Sequence, residues 1–429
     1  MKEKNPNPKH PSTLYAYFIF FLAASFYLYE FILQVSPSVM ADDMMRAFKV
    51  SSEGFGIISA VYFYAYAPMQ LPAGLLFDRY GPRKLMTSAL LICALGMVFF
   101  AATENIFTAS LGRFLVGIGS ACSFIGVLVL ISRWFPPRQF ALLAGVAQMM
   151  SSVGAMFGEM PLALLIHQVG WRSASFILAG IGLLIAGLIW IFVSDYPVPP
   201  KKPAKRRSFS RELLRLREVC GQSYTWITGA YACTIWTPIA VFAALWGVPY
   251  LEEKYHLSVV QASGMCSMIW LGVGIGSPLL GWISDKYSSR RLSLTISSLL
   301  GLIATLTILY IPDVSKSLML LVLFVFGLGS GAQSVSFAVV KDNNPPNLVG
   351  TASGFNNLSV LVGGAIFQPL VGIFLHRSET LHWINNAPVY SLKAYQWALM
   401  VMPVSYLISL LIVQFLMKES HPDYRKYVQ

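Results

Sequence analysis

Three ionisable side chains stand inside long apolar runs of this sequence: Glu30, Arg113 and Glu159. Near the centre of a membrane helix each would cost roughly 2.5–3.5 kcal/mol, so each needs a partner or a wet cavity. A carboxylate so placed can take up and release a proton, and a guanidinium can hold an anion. An arginine beside a carboxylate ties the two events together: the cation favours the ionised acid, and its removal favours the protonated one. The chemistry on offer is proton exchange linked to solute binding. Nothing in the spacing pairs a nucleophile with a base or gathers metal ligands, so an enzyme is not expected and no cofactor is implied.

Depth follows from the rise of about 1.5 Å per helical residue. Glu30 and Glu159 lie far along two runs directed one way, and Arg113 lies early in a run directed the other way. All three then fall at similar depth, which predicts an ion-pair cluster of one Arg between two Glu. Polar neighbours share their faces at helical spacing. Tyr27 and Gln34 accompany Glu30, Ser110, Gly117 and Ser120 accompany Arg113, and Gln148 and Ser152 accompany Glu159. Glu159 has a second possible setting, an outer mouth shared with His167. A static ion pair holding three helices together would use the same residues.

The elements that must position these groups are membrane spans. The chain of 429 residues is 56% hydrophobic and only 12% charged, against about a quarter charged in soluble domains. Twelve apolar runs, each able to cross about 30 Å of hydrocarbon, fall at about 13–36, 54–76, 85–102, 107–132, 140–166, 173–194, 224–250, 259–283, 292–312, 317–340, 351–375 and 394–417. The first is too long for a signal-peptide core and is read as a retained span. The net charge of +12 does not imply nucleic acid. Most of the 31 Lys and Arg residues fall in even-numbered loops and the tails, which predicts both termini in the cytoplasm. Five scattered cysteines give neither a disulfide framework nor a metal site.

The runs form two sets of six: an N-terminal bundle over 1–194, a cytoplasmic basic linker over 195–221 and a C-terminal bundle over 222–429. Within the linker, Lys201 to Arg207 is densely basic, and a helix is predicted from Ser210 to Val219. That segment suits either anionic headgroups or a solvated connection. His376 to Lys393 reads as an outer loop. After the second run of each set comes a charged hairpin, Gly74-Leu-Leu-Phe-Asp78-Arg79-Tyr-Gly81-Pro-Arg83-Lys84 and Gly281-Trp-Ile-Ser-Asp285-Lys286-Tyr-Ser288-Ser-Arg290-Arg291. A duplicated six-span unit with a site at the repeat interface is the plan of a secondary transporter. The second unit offers neutral candidates for a cavity wall: Tyr231, Trp236, Trp270, Gln333, Asn356, Asn357 and Gln368, the amides suited to hydroxyl or carbonyl groups of a solute. Glycines at 272, 274, 276, 327, 329 and 331 read as close helix-packing positions.

These residues resemble the major facilitator superfamily. The hairpin with Gly74, Asp78, Arg79, Gly81, Arg83 and Lys84 matches that family's loop motif, and the second copy keeps Gly281, Asp285 and Arg290 with Ser288 at the glycine position. Arg113-x-x-x-Gly117-x-Gly119, Trp134-Phe135-Pro136-Pro137-Arg138, Gly170-Trp171-Arg172, Trp246-Gly247-Val248-Pro249-Tyr250-Leu251 and Gly354-Phe355-x-Asn357 are similar to further family segments. The resemblance implies an all-α integral membrane fold of twelve helices in two pseudo-symmetric six-helix bundles, working by alternating access as a monomer in a bacterial-type inner membrane. Its partners would be the lipid bilayer, a small solute and H+. It lends Glu30 the role of proton carrier and Arg113 that of a residue alternating between Glu30 and substrate.

The implied activity is proton-coupled symport of a small polar or anionic nutrient: an organic acid, an amino acid or short peptide, a sugar derivative or a carboxylate siderophore. Proton-linked export and a non-transporting sensor are the alternatives. The segment from Gly154 to Pro161 lacks the Gly-Pro pair of the family's antiporters, which argues against export. Asp78 is expected to gate by accepting N–H groups that open span 11, near Gly350 and Thr351, with Asp285 mirroring it near Phe140 and Ala141.

Overall fold

The computed structural model describes residues 12–136, 139–197, 209–345, 348–378, 380–384 and 387–420. The first half runs through α1 (Thr13–Val35), a 3-10 turn (Ser36–Met40), α2 (Ala41–Phe48), α3 (Ser52–Tyr80), α4 (Pro82–Ala101), α5 (Ile106–Ser120), α6 (Ser123–Trp134), α7 (Phe140–Gly158), α8 (Met160–Val169) and α9 (Trp171–Phe192). A bridging helix, α10 (Phe209–Cys220), leads to α11 (Ser223–Pro238), a π-helical stretch (Ile239–Trp246), α12 (Gly247–Tyr255), α13 (Val259–Lys286) and α14 (Arg290–Tyr310). The chain closes with α15 (Lys316–Ser330), α16 (Gln333–Asn343), α17 (Val349–Arg377), strands β1 (Thr380–Ile384) and β2 (Ala387–Tyr390), α18 (Leu392–Ala398), α19 (Val401–Leu411) and a π turn (Ile412–Leu416). Eleven segments among the described residues are long and apolar enough to cross a membrane. The twelfth crossing is α3, 29 residues and so about 43 Å long, whose Pro68, Gln70 and Pro72 dilute its apolar character.

Five predicted spans prove to be broken, span 12 at Leu399 and Met400 between α18 and α19, and sequence bears on the other four breaks. Span 4 turns at Ala121 and Cys122 between α5 and α6, and span 10 turns at the equivalent place, Gly331 and Ala332, between α15 and α16. Span 5 breaks at Glu159, whose backbone leaves the helical region (φ −95°, ψ −109°) just before Pro161. A proline lacks the N–H and crowds the carbonyl four residues back, so the helix cannot run through unchanged. Span 7 widens into the π stretch directly after Pro238. The outer loop predicted over 376–393 is instead an antiparallel hairpin, with Trp383 opposite Pro388 and Ile384 opposite Ala387. The basic run 201–207, Arg138, Asn385 and Asn386 lie outside the described residues. The expected linker helix is α10, and its Val219 packs with Val340, Leu348, Ala352 and Phe355. The end of α10 is therefore docked on the second bundle.

The repeat is visible in the backbone of the two charged turns. Gly81 and Ser288 occupy the same motif position and both have positive φ, +79° and +49°. Serine reaches that conformation against a steric penalty of roughly 1–2 kcal/mol. Behind each turn, a carboxylate just past the last helix of the same bundle caps the next helix. Asp195 accepts from Arg83 N at 2.9 Å, and Glu419 accepts from Arg290 N at 2.9 Å, Arg291 N at 3.2 Å and Ser289 Oγ at 2.6 Å. Exposed first-turn N–H groups and the positive end of the helix dipole favour a negative charge there.

Within each bundle, glycines let backbones close up, as expected of the close-packing positions on spans 8 and 10, which here face each other. Side chains added at Gly272, Gly276 or Gly327 would strike the backbone of the facing helix. Between the bundles, α3 lies against α17 and α7 against α13. At the end that carries the β-hairpin these pairs touch closely. A β-carbon on Gly56 would stand 2.9 Å from the Gln368 carbonyl, one on Gly364 3.1 Å from Phe63, and one on Gly274 3.2 Å from Ser152. Ser52 Oγ also bonds the Gly372 carbonyl at 2.9 Å and Tyr390 Oη at 2.8 Å. At the end that carries the charged turns, β-carbons on Gly74, Gly281, Gly350 and Gly354 would meet nothing within 4 Å. The bundles are closely packed at the hairpin end, whereas these four glycines at the motif end face open space.

Candidate functional site

Glu30 emerges from the last third of α1 into a fully buried setting. One carboxylate oxygen accepts the hydroxyl of Tyr62 on α3, and the other has no hydrogen-bond partner. Arg113 comes from α5, also buried. Its Nη1 donates to the Leu33 carbonyl at 2.9 Å, and its guanidinium carbon lies 5.0 Å from the centroid of the Tyr62 ring. The Leu33 carbonyl has room for this bond because Pro37, four residues on, has no N–H to offer; the same carbonyl also accepts Ser36 Oγ at 3.0 Å. Gly117, one turn beyond Arg113, allows α5 to approach α3: a β-carbon there would stand 3.0 Å from Ala65 Cβ. Arg113 Nε remains buried without a partner.

The predicted ion-pair cluster is not formed. Among the described residues no ion pair joins Arg113 to Glu30 or Glu159. Tyr62 stands between cation and acid, holding Glu30 through its hydroxyl and Arg113 over its ring. A cation over an aromatic face contributes on the order of 0.5–2 kcal/mol, far from cancelling a buried charge. Sequence reading missed Tyr62. The signal was present: Ser59, Tyr62, Tyr66 and Gln70 form a polar stripe at helical spacing on α3, and all four are buried.

The other first-bundle candidates fall partly together. Tyr27 donates to Gln148 Oε1 at 3.2 Å, which joins the stripes of α1 and α7 as their spacing predicts. Gln34 is buried near the end of α1. Glu159 is fully buried, and one oxygen accepts from Ser38 Oγ at 3.3 Å. It is therefore at no open mouth, and His167 on α8 is exposed.

Several second-bundle candidates serve as braces. Gln368 Nε2 donates to the Ala240 carbonyl at 2.7 Å, and its own backbone carbonyl accepts from Trp246 Nε1 at 3.1 Å, which ties α17 to the π stretch. Asn356 donates to Ser336 Oγ at 2.9 Å and joins α17 to α16. Tyr231 reaches the Leu294 carbonyl at 3.5 Å inside its own bundle. Gln333 opens α16 and accepts Ser336 Oγ on its carbonyl at 2.6 Å, Trp236 is buried on α11, and Asn357 is half-buried. Trp270 on α13 is buried, packs edge-on against Phe31 of α1 at 6.0 Å, and so faces the first bundle.

At the motif end, Asp78 and Arg79 are exposed on the last turn of α3, and Arg83 bonds the Trp190 carbonyl at 2.7 Å. Asp285 pairs with Arg290 at 2.7 Å, and Arg290 also pairs with Asp342 at 2.9 Å. Here the second motif copy is tied within its own bundle.

The model of the Major Facilitator Superfamily matches residues 14–368 and 239–427. A probable galactarate/D-glucarate transporter of Escherichia coli is 24% identical over 391 residues, covering 82% of this chain and 85% of that protein. A hexuronate transporter of Bacillus subtilis is 24% identical, covering 85% and 88%. A probable sulfoacetate transporter of Cupriavidus necator is 21% identical, covering 82% and 85%. Among solved structures, a bacterial homologue of the human lysosomal transporter Spinster, in an inward-facing and unoccupied conformation, superposes with a TM-score of 0.77 at 16% identity, covering 94% and 97%. The nucleoside transporter NupG gives 0.74 at 12% identity, covering 93% and 100%.

Proposed function

The chain belongs to the major facilitator superfamily, and from that premise we propose that this multi-pass membrane transporter takes up a small organic acid together with a proton. The observation that carries the reading is Arg113, a buried fixed cation with no carboxylate paired to it among the described residues. An uncompensated buried charge is expensive, so a site of this kind is completed by an anion that arrives from outside. Transporters of galactarate or glucarate, hexuronate and sulfoacetate among the similar proteins support an organic anion. Arg113 would bind the carboxylate, and Glu30, bonded to Tyr62, would carry the proton. A carboxylate docking on Arg113 brings negative charge towards Glu30 and favours its protonated form. Anion and proton then load together.

The basic even-numbered loops support a motif end in the cytoplasm, and with it an inner-membrane protein with both termini inside in a conformation open inwards. Asp78, exposed on the last turn of α3, would take part in the gate at the motif end. Gradient-driven uptake of glucarate into proteoliposomes tests the scheme. At zero membrane potential, each pH unit of gradient is worth about 1.4 kcal/mol to a solute moving with one proton, or about tenfold accumulation. Glu30→Gln should retain substrate exchange and lose accumulation, and Arg113→Gln should lose both. Accumulation by Glu30→Gln at the parent level would refute the proton assignment.

A further inference from the structure

The hairpin-end seam encloses an acid for which the coupling scheme has no use. Glu159 sits at the break between α7 and α8, fully buried, with one oxygen on Ser38 and the other unpartnered. From the second bundle the Trp270 indole lies beside the carboxyl, and its N–H is likewise buried without a hydrogen bond. The seam thus brings together Ser38 of one bundle, Trp270 of the other and an acid between them. Among the described residues no cation pairs with it. Ionisable groups on the neighbouring elements include Glu30, Tyr27 and Tyr29 of α1, Asp42 and Arg46 of α2, Cys266 of α13 and, beyond Cys266, Glu252 and Lys254 of α12; Arg46 pairs with Asp43 at 2.6 Å and Lys254 donates to the Ile308 carbonyl at 2.6 Å. Arg113 is held by Leu33 and Tyr62, Arg172 of α9 donates to the Thr103 carbonyl at 3.1 Å, and His167 faces outward. An ionised carboxylate shut in here would be a bare buried charge, whereas the neutral acid is a polar group that can both donate and accept.

We propose that Glu159 is a second proton-binding site built into the hairpin-end gate: a proton from the water on that side converts the carboxylate to the acid as the seam closes, and the same proton returns to that side when the seam opens. With the motif end open Glu159 remains fully covered, so its proton has no exit to the other face. The site makes gate closure depend on pH without adding to the protons moved per substrate. The uptake reading supplies only the identity of the two faces; the proton linkage stands apart from it.

Spin labels at Gln168 of α8 and Gln261 of α13, both exposed, report the seam by pulsed dipolar distance measurement in a cysteine-free background. As pH rises, the ratio of short to long distances should fall by up to about tenfold per unit for one linked proton. Glu159→Gln, which keeps the shape of the neutral acid, should hold the short distance at every pH. Ser38→Ala, which removes one hydrogen bond and no proton site, should shift the midpoint and keep the slope. Glu30→Gln should leave the response intact while abolishing accumulation, which separates this inference from the transport scheme. A parent-like slope in Glu159→Gln, or its loss only in Glu30→Gln, overturns the proposal. So does any change in the proton-to-substrate ratio of Glu159→Gln.

Discussion

If the seam between α3 and α17 is the gate, a single methyl group should wedge it. In Gly56→Ala the new β-carbon would stand 2.9 Å from the Gln368 carbonyl oxygen and 3.0 Å from Pro369 Cα. Both obstacles are backbone, at a proline inside a helix, so neither can swing aside as a side chain end would. Overpacking of this kind costs typically about 1–3 kcal/mol. The penalty applies only while the seam is shut, so the shut-to-open ratio should fall about 5- to 150-fold. Ser59→Cys provides the probe. Ser59 is buried on α3 between Gly56 and Phe63, and among the described residues its hydroxyl bonds the Phe55 carbonyl of its own helix. In a cysteine-free background, alkylation of that thiol from the hairpin side by an impermeant maleimide should accelerate by the same factor. Gly74→Ala, where the added carbon meets nothing within 4 Å, should not accelerate it. A Gly56→Ala protein that folds, transports and labels like its parent would show that the gate lies elsewhere.

Two further outcomes follow from hydrogen bonds at the ends of the bundles. Tyr390→Phe removes the 2.8 Å bond across the seam and should raise the same labelling rate about 2- to 12-fold, from a net 0.5–1.5 kcal/mol; Ser52→Ala removes that bond and the one to the Gly372 carbonyl, and should raise the rate further. The double variant should fall short of the sum of the two, because one bond is shared; full additivity would show that they act separately. Asp195→Asn and Glu419→Gln should each lower thermal stability by roughly 0.5–2 kcal/mol through loss of a charged helix cap, with substrate KM unchanged. An unaltered melting temperature in either would show that the cap carries no load.

The sequence disclosed the crossings, the duplication and the charged turns because lipid leaves so few ways to satisfy a backbone. It also disclosed which buried charges to watch. It could not disclose how they meet. Rise per residue gives the depth of Glu30, Arg113 and Glu159 but not the rotation of their helices about the bundle axis, and that rotation places Tyr62 between Arg113 and Glu30. Amides pose a related problem. Asn356 and Gln368 look equally suited to a solute and to a neighbouring helix, and in the structure each donates to a neighbouring element while its side-chain oxygen stays unpartnered. The break at Glu159 was foreshadowed by Pro161, but whether proline bends or interrupts a helix is decided by the packing around it.

The paired carboxylates behind the charged turns have a mechanical consequence. Asp195 and Glu419 rivet the last helix of each bundle to the start of its third, so a push at one end has little freedom to dissipate as sliding between helices. Each bundle then behaves as a stiff beam. Gly56 and Gly74 lie eighteen residues apart on α3, a lever arm of about 27 Å. Over that length a few degrees of tilt, fixed by ångström-scale contacts at Gly56, become a displacement of an ångström or more at the other tip. The rivets are where the leverage comes from.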